Sequence, residues 1–335
     1  MAVRTSYIRS VGRYLPERRL TNSDLEKMVD TNDEWILSRT GIRERRILEP
    51  GLGNSYMAVR AARDCLERAG VEGGEVDAII VGTVTPDMLF PATACLVQKG
   101  IGARHAWGFD LSAGCSGFLF SLTTGAQMVE SGRYRKVLVI GSDVMSSIVD
   151  YTDRNTCVLF GDAAAAVLLE ECPEEGYGIL DFIQRVDGSG EDSLYMKAGG
   201  SRRPASMETV QNREHFVYQE GKQVFKNAVT EMAAVSAGIL ENNGLTGKDV
   251  SLFIPHQANL RIIAACANRM GIDENKVVIN IEKYANTTAA TIPLCLYDAH
   301  VEQGRVKHGD YLVMAAFGAG FTWGSALVRW FDPEA

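Results

Sequence analysis

The chain has 335 residues, a net charge of −8, 46% hydrophobic residues and 23% charged ones. Such a composition belongs to a soluble globular protein with enough apolar material for one large core or two ordinary ones. It argues against nucleic acid as a partner, because phosphate neutralisation requires a basic face. Residues 1–16 carry Arg4, Arg9 and Arg13 without the apolar stretch of a secretory leader. The longest apolar run, residues 163–169, is too short to span a bilayer, so no membrane partner is expected. The cysteines (Cys65, Cys95, Cys115, Cys157, Cys172, Cys266 and Cys295) show neither C-x-x-C spacing nor a cluster with histidine. Reduced thiols, no metal site and a cytoplasmic location are the expectation.

Residues 58–69 read as an amphipathic helix, 76–82 as a buried strand, 92–101 as a helix, and a further strand ends at Leu111. Cys115 follows in Ser112-Ala113-Gly114-Cys115-Ser116-Gly117, ahead of an apolar run that continues through Val129. A thiol in the first turn of a buried helix meets free backbone N–H groups and the positive end of the helix dipole. Both favour thiolate and can hold a developing oxyanion. The bland alternative is a small buried residue at a helix–strand junction. Further along, 136–141 reads as a buried strand, 156–160 with 164–169 as an antiparallel pair, and 188–211 as an inserted polar surface loop. The alternation points to an α/β protein.

The second half repeats the first. Ala69-Gly70-Val71 and the strand 76–82 parallel Asn243-Gly244-Leu245 and 250–256, and Glu130-Ser131-Gly132-Arg133 parallels Glu302-Gln303-Gly304-Arg305. Counting back from those two glutamates places Cys115 and the Asn286-Thr287 pair at equivalent strand–helix junctions. His256 ends a third apolar strand and opens a helix, whereas His105, His215, His300 and His308 stand in polar settings and are expected at the surface. Taken singly, His256 could be a satisfied core residue and Asn286 a helix N-cap; the repeat is what groups them with Cys115. The other cysteines are expected in the core. Gly318-Ala319-Gly320-Phe321-Thr322-Trp323-Gly324 lies between two strands, which excludes a dinucleotide loop and suits a turn whose backbone approaches a reacting group.

In Asp33-Glu34-Trp35-Ile36, Arg39-Thr40-Gly41-Ile42-Arg43-Glu44-Arg45, the Cys115 segment, Phe160-Gly161-Asp162, Pro255-His256-Gln257-Ala258-Asn259, 285–290 and 316–327, the chain resembles β-ketoacyl-acyl-carrier-protein synthase III. That family initiates bacterial fatty-acid synthesis within the thiolase-like superfamily, and the likeness runs nearly end to end. The resemblance implies a duplicated five-layer αβαβα sandwich, with residues 1–174 as one half and 175–335 as the other, assembled as a homodimer. It implies Cys115, His256 and Asn286 as the catalytic set, with the backbone N–H groups of Cys115 and Ala319 as the oxyanion hole. CoA would meet Trp35, Arg39, Arg154, Asn259 and Arg261. Phe90, crossing to a second copy, and Phe317 would shape the acyl pocket; Lys226, Arg261 and Arg269 would meet the carrier protein.

The activity implied is decarboxylative condensation of a short acyl-CoA, acetyl-CoA being the expected primer, with malonyl-acyl-carrier protein. No separate cofactor is required. The family usually has glycine where Ala285 and Ala319 stand, and a methyl is expected to be tolerated provided φ stays negative. A starter-loading enzyme of a polyketide or signal-molecule pathway is the nearest alternative. A non-catalytic acyl-binding scaffold is a more distant one.

Overall fold

Runs rich in Val, Ile and Ala, each followed by an amphipathic stretch, sort into two mixed sheets with helices on both faces. The computed structural model describes residues 4–334. In chain order the principal elements are β1 (Ser6–Tyr14), α1 (Asn54–Ala69), β2 (Ala78–Gly82), α2 (Thr93–Ile101), β3 (Trp107–Leu111), α3 (Gly117–Glu130), β4 (Val137–Asp143) and β5 (Ala163–Glu171). There follow β6 (Gly178–Val186), α4 (Gly221–Asn242), β7 (Val250–Pro255), α5 (Leu260–Met270), α6 (Thr291–Tyr297), β8 (Tyr311–Gly318) and β9 (Thr322–Arg329).

The first sheet has the order β1-β5-β4-β2-β3, and the second β7-β8-β9-β6. In the first, β2 runs parallel to β3 and β4, while β5 runs antiparallel to both β4 and β1. In the second, β7 is parallel to β8, and β9 is antiparallel to β8 and β6. The patterns superimpose strand for strand, β2 on β7, β4 on β8, β5 on β9 and β1 on β6. The counterpart of β3 is reduced to one parallel bridge between Phe253 and Val277. This is the duplication visible in the sequence.

Helices α1 and α2 cover the outer face of the first sheet, and α4 and α5 that of the second. Between the sheets lie α3 and α6, completing the αβαβα sandwich. Phe118, Leu122 and Val129 of α3 and Ile292 and Leu296 of α6 are buried in one cluster with Val139 and Val167 of one sheet and Ile254 and Met314 of the other. Such a helix is apolar all round because it has no solvent face. Among the described residues, no helix is long and apolar enough to cross a membrane, and no group of His, Cys, Asp and Glu could hold a metal ion.

Several sequence expectations change. Residues 156–160 do not pair with β5, whose partners are β1 and β4. They form turns instead, with Cys157 N–H on Asp153 O at 3.0 Å and Leu159 N–H on Thr156 O at 3.1 Å. Their apolar side chains fill a side cluster with Leu25, Ile36 and Ile42. Fully buried Arg45 braces that crossing through Val158 O (2.7 Å), Asn22 Oδ1 (2.9 Å) and Leu20 O (3.2 Å). Cys95 is exposed on α2 rather than in the core. His215, His300 and His308 are half-buried, His300 packing on Trp330 and His308 on Tyr177. Ala285 adopts φ 59°, ψ −155°, so the condition of a negative φ fails there, although Ala319 meets it. An alanine in that region stores roughly 1–3 kcal/mol of strain. Its N–H on Ile281 O at 2.9 Å and its burial hold it in place.

Candidate active site

Cys115 sits in a single 3₁₀ turn, Gly114–Ser116, that leads directly into α3. The β8–β9 turn lies against it. Thr322 Oγ1 donates to Ala113 O at 2.7 Å, and Ser116 Oγ donates to Thr322 O at 3.0 Å. These two bonds pin the glycine-rich turn to the cysteine turn. The approach is so close that a Cβ on Gly318 would lie 2.5 Å from the Cys115 nitrogen, and one on Gly114 2.7 Å from the Ala319 nitrogen. Gly318→Ala is therefore expected to push the two turns apart. Acylation of Cys115 should fall at least about tenfold, read by stopped-time intact mass.

The second junction repeats the first, with a 3₁₀ turn at Thr288–Ala290 running into α6. Asn286 is held at its backbone by N–H on Leu159 O and by Gly161 N–H on its own carbonyl, both at 3.0 Å. Its side-chain Oδ1 accepts the Thr288 N–H at 2.9 Å, which orients the Nδ2 donor end. His256 follows β7, with its N–H on Ala315 O at 2.8 Å. Its Nδ1 pairs with Thr291 Oγ1 at 2.6 Å, while its buried Nε2 has no partner among the described residues. Gln257 staples this corner, donating to Pro255 O (2.9 Å) and Val278 O (3.1 Å) and accepting from the N–H groups of Asn280 and Ile281.

Asp143, at the end of β4, is fully buried beneath the site. Its carboxylate accepts from both Thr83 and Thr85 side chains, from Val84, Thr85 and Ala289 N–H groups, and from Thr288 Oγ1. Burial raises its pKa while these donors oppose the rise.

Cys115, His256 and Asn286 line one cavity of about 100 Å³, together with Asn259, Phe317 and Gly318. A second recess of about 150 Å³ shares Cys115 and is walled by Val84, Met145, Ile148, Leu194, Tyr195, Met196 and Val217. The thiol thus stands where a half-polar approach meets an apolar pocket.

Burial also decides the resting charges. It pushes the Cys115 thiol up to about 12, with the Asp143 charge adding to the effect and the backbone N–H opposing it. Desolvation thus works against the thiolate that the helix terminus favours. Burial pushes His256 down to about 3, so its ring is neutral at physiological pH. Decarboxylation should consequently show no histidine titration between about pH 5 and 8, measured as carbon dioxide release. The sign for stability follows. An unfolded His256 binds its proton near 6.5 and the folded one only near 3, so its contribution is present above the higher value and lost as pH falls between the two.

The other predicted residues are placed as follows. Half-buried Trp35 has the Arg39 and Arg154 guanidinium groups over its ring at 4.9 and 5.0 Å. Arg154 also pairs with exposed Asp30 at 3.3 Å, a contact of little energetic weight. An adenine entering between Trp35 and Arg154 would have to displace that guanidinium. Asn259 lines the cavity, but its Oδ1 caps α5 through the Arg261 N–H and its Nδ2 donates to Arg39 O at 2.9 Å. Lys226, Arg261 and Arg269 are exposed on the packed pair α4 and α5. Neither Phe90 nor Phe317 lines the apolar recess. Phe90 is 83% exposed, and Phe317 packs against Phe321 on the His256 side.

The sequence reading missed the roof. Leu194–Met196, inside the supposed surface loop, pairs antiparallel with Val217–Gln219 just beyond it, and this strand pair lines both cavities. The signal available was the apolar trio Leu194, Tyr195 and Met196 inside a polar stretch. Asp143 was missed as well, since a lone acid after a strand carries no local pattern, and Gln257, though part of a quoted motif, was given no role of its own.

Comparison with known proteins gives a consistent result. Residues 109–188 match the family model for 3-oxoacyl-[acyl-carrier-protein (ACP)] synthase III, and residues 240–330 match the model for its C-terminal part. A β-ketoacyl-[acyl-carrier-protein] synthase III of Koribacter versatilis (strain Ellin345) is 56% identical over 330 residues, spanning 98% of this chain and 99% of the relative. The crystal structure of 3-oxoacyl-[acyl-carrier-protein] synthase III from Aquifex aeolicus VF5 is similar with a TM-score of 0.89 at 43% identity, covering 97% of this chain and 100% of that one. The priming β-ketosynthase from the R1128 polyketide biosynthetic pathway is similar with a TM-score of 0.90 at 36% identity, covering 99% and 98% of the two chains.

Proposed function

The chain belongs to the 3-oxoacyl-[acyl-carrier-protein] synthase III family, and from that premise we propose that Cys115, His256 and Asn286 carry the family's reaction here. The protein is an acyltransferase that condenses acyl-CoA with malonyl-acyl-carrier protein and so initiates fatty-acid synthesis. The observation that carries the residue assignment is that all three side chains line one cavity, in which the buried His256 Nε2 has no partner among the described residues.

In the first half-reaction the Cys115 sulfur attacks the acyl-CoA thioester carbon. The oxyanion of the tetrahedral intermediate is held by the N–H groups of Cys115 and Ala319. When the intermediate collapses, the C–S bond to CoA breaks, and the proton given up by Cys115 ends on the departing CoA thiol. The acyl chain lies in the apolar recess behind the sulfur. In the second half-reaction malonyl-acyl-carrier protein loses carbon dioxide, and negative charge moves onto its thioester oxygen. His256 Nε2–H and Asn286 Nδ2–H donate to that oxygen, each contributing about 3–4 kcal/mol. The carbanion attacks the acyl carbon, Cys115 leaves as thiolate, and it regains a proton from solvent. The product is 3-oxoacyl-acyl-carrier protein.

The primer is a short acyl-CoA, acetyl-CoA first. Trp35, Arg39, Arg154, Asn259 and Arg261 receive the CoA, the arginines through stacking and phosphate contacts. Lys226, Arg261 and Arg269 form a basic spot for an acidic carrier protein on a chain that is otherwise negative. Phe90, with exposed Met88 and Leu89 beside it, packs against a second copy in a homodimer and caps the recess there. The division at 174/175 falls between β5 and β6, the last strand of one sheet and the first of the other, and each half is one copy of the duplicated unit. The cytoplasm is the compartment that supplies both substrates.

The likeness to the R1128 priming ketosynthase favours a second reading, in which the same chemistry loads a polyketide starter. A non-catalytic scaffold would have no use for the full Cys-His-Asn set. Intact mass spectrometry after mixing with a panel of acyl-CoAs, followed by a chase with malonyl-acyl-carrier protein, tests the reading. A label on Cys115 that leaves as 3-oxoacyl product supports it. Absence of label from every acyl-CoA would overturn the nucleophile, and a label that stays put would overturn the condensation.

A further inference from the structure

We propose that Thr291 is a positioning residue that fixes the tautomer of His256, so that the proton sits on Nε2 and faces the cavity. The inference rests on the donor role given above to His256. A neutral imidazole has one protonated and one bare nitrogen, and which is which is decided by the bond at the far nitrogen. Here the far nitrogen is Nδ1, 2.6 Å from Thr291 Oγ1. The Thr291 hydroxyl has one proton and two neighbours that can take it, His256 Nδ1 and Thr288 O at 3.2 Å. An N–H···O bond spans about 2.7–3.2 Å, so the 2.6 Å contact lies below the range expected if Nδ1 were the donor. The short contact therefore has the hydroxyl donating to a bare Nδ1, with the Thr288 carbonyl at the margin of hydrogen-bonding distance. The remaining ring proton then lies on Nε2, the buried atom with no partner among the described residues.

One turn sets both donors. The Thr288 N–H holds Asn286 Oδ1 at 2.9 Å, its hydroxyl is anchored on Asp143, and its carbonyl borders Thr291. The two donors aimed at the thioester oxygen are thus registered against a single buried carboxylate.

The test uses the full-length protein labelled with ¹⁵N at histidine, with His256→Gln assigning the His256 ring signals. Long-range ¹H–¹⁵N correlation should show the Nε2–H tautomer in the wild type; an Nδ1–H signal there would overturn the proposal without any variant at Thr291. Thr291→Val keeps the shape and removes the hydroxyl. It should shift the ring toward Nδ1–H and lower decarboxylation about 10- to 100-fold, with Cys115 acylation within about threefold. Thr291→Ser should restore both the spectrum and the rate. Retention of the Nε2–H tautomer in Thr291→Val, a parallel fall in acylation, or no rescue by serine would each overturn it. A His256→Ala protein that decarboxylates at the wild-type rate would instead overturn the donor role on which the inference stands.

Discussion

Cys115→Ala should lower condensation at least about 10⁴-fold and leave no acyl label on the protein by intact mass. The same variant should still release carbon dioxide from malonyl-acyl-carrier protein, because His256 and Asn286 remain and alanine adds no bulk. Loss of both activities together would mean that the thiol helps to form the enolate, which the separation of roles given above excludes. The resting thiol, pushed up to about 12, adds a kinetic corollary. Only a small thiolate fraction exists near neutral pH, so acylation should accelerate about tenfold per pH unit until another step limits the rate.

Asn286→Asp should act in the opposite sense. It removes an N–H donor and sets a carboxylate where the enolate oxygen must form, so decarboxylation should fall by about 10² to 10³-fold. Acylation of Cys115 should stay within about threefold, since its oxyanion is held by backbone groups on the other side. The two rates, read as carbon dioxide release and as mass label, need to separate for the assignment to hold.

The set proposed as catalytic stood out in the sequence because duplication placed Cys115 and Asn286 at equivalent junctions, and both junctions prove to be 3₁₀ turns feeding an inner helix. The glycine-rich hairpin was legible for a similar reason, since strands on both sides left no helix for a nucleotide. What stayed hidden depends on contacts distant in sequence. Asp143 ends a strand like any other acid, and only the fold brings Thr85 and Thr288 to it. Residues 156–160 are apolar enough for a strand, yet their apolarity serves a side cluster and their backbone turns. A resting thiolate was the natural expectation from a helix terminus, but nothing local reports how deeply that terminus is sunk. Three-residue strands such as Leu194–Met196 are too short for alternation to register, so the roof looked like a loop.

The layer between the two sheets belongs to neither half. Ile8 and Val139 from one side and Ile254, Leu312 and Trp330 from the other are buried in the same cluster around α3 and α6. Each half alone would present that layer to water, so the halves stabilise each other as subunits of an obligate pair do. Melting should then be a single cooperative event, with no folded half surviving the loss of the other. For a chain built by duplication this has an evolutionary edge. A destabilising change in the copy without the nucleophile is felt at the nucleophile all the same, and neither copy was free to drift once the middle was shared.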